Sequence, residues 1–187
     1  MGEEVARPGG VAPVTFQARD GWTLTGDLSA PPGEPWAVAL VAPAMGVGRR
    51  FYRPLAEHLA GCGIAALVPD YRGMGDSHRR PSVEAALDLV SWGERDLPAA
   101  METLAARWPG VPRVWIGHSV GGQLLGLYDG PEVHAALLVA SQSGHWRHWD
   151  GGKRLGMAFL WHAGIPFLTT VFGRLPMRLL GQGEDVP

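Results

Sequence analysis

Val114-Trp115-Ile116-Gly117-His118-Ser119-Val120-Gly121-Gly122 decides how the rest of the chain is read. A short apolar run of β-forming residues leads into Gly-x-Ser-x-Gly, and Gln123-Leu124-Leu125-Gly126-Leu127-Tyr128 follows as a helix start. Strand, sharp turn and helix in that order form the setting of a nucleophile elbow, which thrusts a serine Oγ above a sheet. Glycine is required two residues before and after the serine, because the strand and helix backbones nearly touch there. With 27 Gly in 187 residues the pentapeptide alone is a weak signal, and its setting carries the weight. The competing reading is a Gly-Ser turn with no chemistry.

Outward from the elbow, strands and helices alternate. Toward the N-terminus, Ile64 to Pro69 and Trp36 to Ala42 are continuous apolar runs, the pattern of strands buried on both faces of a parallel sheet. Between them the spacing predicts a helix from about Phe51 to Ala60, with Leu55 and Leu59 on one face, ended by Gly61 and Gly63. Residues 14–18 and 22–28 alternate around Asp20-Gly21 and read as a β-hairpin. Ser82 can cap a helical region that runs to about Arg107, with a break near Trp92-Gly93. Beyond the elbow, Ala135 to Ala140 reads as a further buried strand. Lys153 to Ala163 and Phe167 to Leu180 read as short helices separated by Gly164 and Pro166.

The expected fold class is therefore α/β: a doubly wound, mostly parallel sheet of about six strands, the first hairpin antiparallel at one edge, with a short helical cap segment at the C-terminus. Residues 1–144 would form the core and 145–187 the cap.

Apolar residues make up 46% of the chain and charged residues 18%, enough for a buried core. Net charge is −2 with basic residues scattered, which argues against nucleic acid as a partner. The single cysteine, Cys62, can form no internal disulfide, and a cytoplasmic location is expected. The acidic Met1-Gly2-Glu3-Glu4 start has no secretion-signal character. The longest apolar stretch, Leu155 to Phe172, contains His162, Gly164, Pro166 and two threonines, and no membrane span is expected. Gly73 and Gly75 match neither the Walker loop nor the dinucleotide fingerprint, and no cofactor is expected.

With these segments in hand, the chain resembles the α/β-hydrolase superfamily, and most closely bacterial predicted hydrolases of the serine-aminopeptidase and monoglyceride-lipase type. The resemblance rests on Tyr71-Arg72-Gly73-Met74-Gly75-Asp76-Ser77, on Gly117 to Gln123 at the elbow, and on Ala140-Ser141-Gln142-Ser143-Gly144. It implies that Ser119 is the nucleophile and that the backbone N–H groups of Val120 and Met45 form the oxyanion hole. Pro43-Ala44 stands where such enzymes carry His-Gly. The resemblance also implies a triad acid after a seventh strand and a His after an eighth. Neither strand is legible, and the chain reads as breaking off inside the insert that follows strand six.

None of the histidines present reads as a ready substitute for the base. His118 leaves the turn in another direction from Ser119. His145, His148 and His162 lie in the cap, with Asp150 near two of them; each reads more simply as a surface or lid residue. His58, His78 and His134 read as peripheral. His145 and His148 with Asp150 lack a third strong ligand, so no metal is expected. Asp70, Arg72 and Asp76 are expected to organise their loop rather than to react. Trp92, Trp108 and Trp115 read most simply as core or core-edge residues. Trp146, Trp149 and Trp161 either line an acyl pocket or pack the cap onto the core, and both readings stay open.

The expected function is a serine hydrolase acting on a small ester, thioester or amide, with a small-molecule acyl substrate as partner. The alternative is a catalytically incomplete module whose sheet ends at the strand from Ala135 to Ala140, an open edge that invites self-association.

Overall fold

The computed structural model describes residues 10–78, 88–143 and 145–173. Its sheet has six strands in the order β1-β2-β4-β3-β5-β6. They are β1 (Val11–Gln17), β2 (Thr23–Ser29), β3 (Ala37–Ala42), β4 (Ile64–Pro69), β5 (Arg113–His118) and β6 (Ala135–Val139). β1 and β2 form the antiparallel hairpin, and β2 runs antiparallel to β4. β4, β3, β5 and β6 are mutually parallel. Placing β3 between β4 and β5 sets the end of β3 beside the elbow, with Ala42 in register with Gly117.

Alternation along the central strands separates two cores. Val38 and Leu40 of β3 join Trp22, Leu24, Leu67, Leu97, Met101 and Trp115 on one face. Ala39 and Val41 join Tyr52, Ala56, Ala66, Val68 and Ile116 on the other. Successive side chains of a strand point to opposite faces, so a continuous apolar run serves both layers.

A 3₁₀ turn (Arg49–Tyr52) leads into α1 (Arg53–Gly61). The expected Leu55/Leu59 face is not the buried one. Ala56 and Ala60 lie against the sheet, while Leu55 is exposed and Leu59 packs at the margin. The sheet offers small residues there, Ala39 and Ala66, and an alanine stripe lets the helix approach closely.

The break expected near Trp92-Gly93 is a π turn, Trp92–Asp96, between α2 (Leu89–Ser91) and α3 (Leu97–Arg107). Residues 82–87 lie outside the described residues. The wider turn buries Trp92 and Asp96 together. After β5 come α4 (Val120–Gln123) and a 3₁₀ turn (Leu124–Leu127).

Two expectations need correction. β6 is not buried on both faces: Leu137, Leu138 and Val139 are 56, 51 and 46% exposed. It pairs with β5 alone, and no strand among the described residues flanks its outer edge. The two cap helices are not separate either. α5 (Gly151–Phe159) continues through a π turn (Leu160–Gly164) into α6 (Ile165–Phe172). Gly164 lies in the π turn and Pro166 directly follows it, so the wider turn falls where proline removes a helical N–H. The resulting 22-residue helix is long and apolar enough, by length and composition alone, to cross a membrane. Amphipathic surface helices can be as long.

Candidate active site

The elbow takes the shape its sequence demands. Ser119 has φ 52° and ψ −116°. Ser119 and Ala140 are the two non-glycine residues with positive φ among the described residues. Such a conformation costs on the order of 1–3 kcal/mol and persists only where the surroundings impose it. Here they do. A Cβ on Gly117 would stand 2.5 Å from Gly122 Cα, and one on Gly121 would overlap the carbonyl of Ala42 and lie 2.7 Å from that of Pro43. One on Gly122 would collide with the side chain of Ser141. The glycines are thus explained by contacts with β5, with the end of β3 and with the loop after β6.

Ser119 is half-buried, and its Oγ has no hydrogen-bond partner among the described residues. Its N–H donates to Val139 O at 2.9 Å, and its C=O accepts from Gly122 N–H at 3.0 Å. Val120 opens α4, so its N–H belongs to the first turn, whose donors have no acceptor within the helix.

The loop after β3 is held beside the elbow by two phenols. Tyr71 Oη donates to Pro43 O at 2.8 Å, and Ala44 N–H donates to Tyr52 Oη at 2.8 Å. Burial pushes the Tyr71 hydroxyl well above its ordinary pKa, so it remains a donor at any working pH. Tyr71 stacks on Trp92 with ring centroids 4.4 Å apart, which ties this support to the π turn. Met45, next in the loop, is half-buried against the main core.

The charged loop after β4 is structural, as its sequence suggests. Arg72 donates from Nε and from its backbone N–H to Asp96, both at 2.8 Å, and from Nη1 to Asp20 at 2.7 Å. Arg49 bonds Asp27 at 2.8 Å, Asp76 at 2.5 Å, and Asp70. Arg53 adds a 2.7 Å bond to Asp27. Burial would raise the Asp20 carboxyl, but hydrogen bonds from Arg72 and Arg95 prevail and hold it at about 2. The loop residues were singled out in the sequence; Arg49, Tyr52, Asp20, Asp27 and Asp96 were not.

The candidate bases lie elsewhere. His118 Nδ1 meets Tyr52 Oη at 2.9 Å. His148 Nδ1 meets Ser143 Oγ at 2.6 Å, and His145 Nδ1 accepts from Arg147 N–H at 3.2 Å. His162 sits edge-on to Trp146. Among the described residues no histidine is hydrogen-bonded to Ser119, and no group of three metal-ligating side chains occurs. Of the tryptophans proposed to face substrate, Trp146 lies under the guanidinium groups of Arg147 and Arg154. Trp149 lines a cavity of about 270 Å³ with Gln142, Ser143, His145 and His148, and Trp161 is exposed. A larger cavity of about 570 Å³, lined by Arg19, Asp20, Glu94, Arg95, Leu127 and Asp129, includes no elbow residue.

The family model described as "Serine aminopeptidase, S33" matches residues 33–175. A monoglyceride lipase homolog of Monkeypox virus is 28% identical over 109 residues, which are 57% of this chain and 38% of that protein. A thermostable carboxyl esterase from Bacillus coagulans superposes with a TM-score of 0.59 at 18% identity, covering 68% of this chain and 43% of that one. The esterase domain of a Rhodothermus marinus protein gives 0.54 at 26% identity, covering 74% and 54%. The chain thus spans roughly half or less of these proteins' length.

Proposed function

The chain belongs to the serine aminopeptidase S33 family of the α/β-hydrolase fold, and from that premise we propose that it is a serine hydrolase cleaving an ester, thioester or amide through an acyl-enzyme at Ser119. The observation that carries the reading is the strained φ of Ser119, held by glycine contacts on both sides with its Oγ unpartnered. Ser119 Oγ attacks the acyl carbon, its proton passes to a base, and the alcohol, thiol or amine departs with a proton. Water then releases the acid. Val120 N–H and Met45 N–H receive the oxyanion, and one such donor contributes on the order of 3 kcal/mol to the transition state. Among the described residues, neither a base nor an orienting acid is hydrogen-bonded to Ser119.

The names of the relatives, a carboxyl esterase and a monoglyceride lipase homolog, favour esters over amides. Exposed Leu155, Phe159 and Phe167 on the cap suit an apolar acyl group. Trp149 remains the best placed of the three tryptophans to meet it, because it already lines a cavity. The exposed Cys62 suits a reducing cytoplasm. One observation favours a second reading, a module that pairs with its own copy: the outer edge of β6, which no strand among the described residues flanks.

A fluorophosphonate probe and p-nitrophenyl butyrate test the first reading. Labelling confined to Ser119, with turnover above background, is expected, and Ser119→Ala should abolish both. Labelling that survives Ser119→Ala would refute the assignment.

A further inference from the structure

We propose that Tyr52 is a positioning residue that locks the loop carrying the Met45 donor to the nucleophile elbow, an inference that rests on the serine-hydrolase reading. Pro43 C=O and Ala44 N–H belong to one peptide plane. Tyr71 Oη donates to its oxygen and Tyr52 Oη accepts from its nitrogen, so buried phenols grip both ends. The Ala42-Pro43 peptide has no N–H to offer, and Tyr52 consumes that of Ala44. The next donor along the loop is therefore Met45 N–H, and its own peptide plane is held by Val47 N–H, which donates to Ala44 O at 3.2 Å.

The same Tyr52 oxygen lies 2.9 Å from His118 Nδ1, one residue before the nucleophile. A phenol has one proton and two acceptor sites. One acceptor site is taken by Ala44 N–H; in the clamp the phenol proton goes to His118 Nδ1, the pairing that corresponds to the Nε2–H tautomer of His118. Burial keeps the phenol neutral, as this arrangement requires. Tyr52 in turn closes the 3₁₀ turn that starts at Arg49, the arginine anchored by Asp27, Asp70 and Asp76. Loop and elbow meet at a single hydroxyl, carried on a turn whose first residue is fixed by ion pairs. Displacing an oxyanion donor by about 1 Å can cost orders of magnitude in rate, so a clamp here acts on turnover rather than on substrate capture.

Tyr52→Phe keeps the ring and removes the hydroxyl. Tyr128→Phe is the control, since it deletes a comparable 2.7 Å bond, from Tyr128 Oη to Pro131 O, away from the elbow. Tyr52→Phe should slow fluorophosphonate labelling and kcat about tenfold with KM nearly unchanged, whereas Tyr128→Phe should leave both rates alone. In ¹⁵N-histidine NMR, wild-type His118 should show the Nε2–H tautomer, and Tyr52→Phe should shift its Nδ1 resonance and speed exchange of the Met45 amide. If Tyr52→Phe does not fold, His118→Asn, which retains an acceptor near the Nδ1 position, should keep the labelling rate that His118→Ala loses. Equal rates for Tyr52→Phe and wild type, or for His118→Asn and His118→Ala, would overturn the clamp. Absence of labelling in the wild type would count against the hydrolase reading alone. The NMR arm then decides the clamp, which an unchanged His118 tautomer and Met45 exchange in Tyr52→Phe would refute.

Discussion

β4 and β6 are written in the same vocabulary, Ile-Ala-Ala-Leu-Val against Ala-Ala-Leu-Leu-Val, yet they live in different surroundings. Leu67 of β4 is fully buried between β2 and β3, whereas Leu138 of β6 is 51% exposed with β5 on one side only. Past β4 the chain enters a loop tied down by Arg49 and Arg72. Past β6 it leads to the C-terminal helical run, which carries exposed Leu155, Phe159 and Phe167. An apolar run specifies a strand. Its burial is set by neighbours that the run itself does not encode.

That contrast can be tested by equal truncations. Leu67→Ala should cost about 2–5 kcal/mol, because a filled interior site becomes a cavity. Leu138→Ala should cost under about 1 kcal/mol, because half its surface already meets water. Urea unfolding of the two variants measures both, and similar losses would mean that β6 is covered in solution.

The tied side should also carry an acid-sensitive term that the open side lacks. A carboxyl whose folded pKa lies below its unfolded value, about 4, stabilises the fold above that value and loses the contribution as pH falls through the folded one. Asp20, held at about 2, should therefore supply up to about 2 kcal/mol at neutral pH that is lost between roughly pH 4 and 2. The stability gap between wild type and Asp20→Asn should narrow across that window. A gap independent of pH would refute the pairing with Arg72 and Arg95.

The smallest effect concerns the edge itself. If β6 pairs with its own copy, size-exclusion chromatography should show weak, concentration-dependent association, and Leu138→Lys should return the monomer. A clean monomer at all concentrations would remove the second reading.

Much of the sheet could be read in the sequence. Continuous apolar runs located β3, β4 and β6 within a residue or so, alternation found the hairpin although β1 starts at Val11 rather than Val14, and the glycines at 117 and 121 announced the elbow. The helices were less legible. Ala56 and Ala60 were overlooked because small residues carry little hydrophobic signal, although close packing favours them. Gly164 and Pro166 looked like a break because the sequence gives no sign that a π turn can carry a helix through them. The supports of the candidate site were hidden for another reason. Arg49 finds Asp27 and Asp70, and Tyr52 finds His118, across separations of 22, 21 and 66 residues. No local spacing encodes such meetings, which exist only once the strand order is known.

The family match starts at residue 33, after the first hairpin has ended. Yet Asp20, at the tip of that hairpin, and Asp27, within it, are the carboxylates that receive Arg72 and Arg49. A version of the protein trimmed to the homologous boundary would take one counter-charge from each of two buried guanidinium groups, leaving Arg72 to Asp96 and Arg49 to Asp70 and Asp76. The ribbon outside the family match therefore behaves as a buttress: modest in area, yet sharing the electrostatic load of the arch beside it.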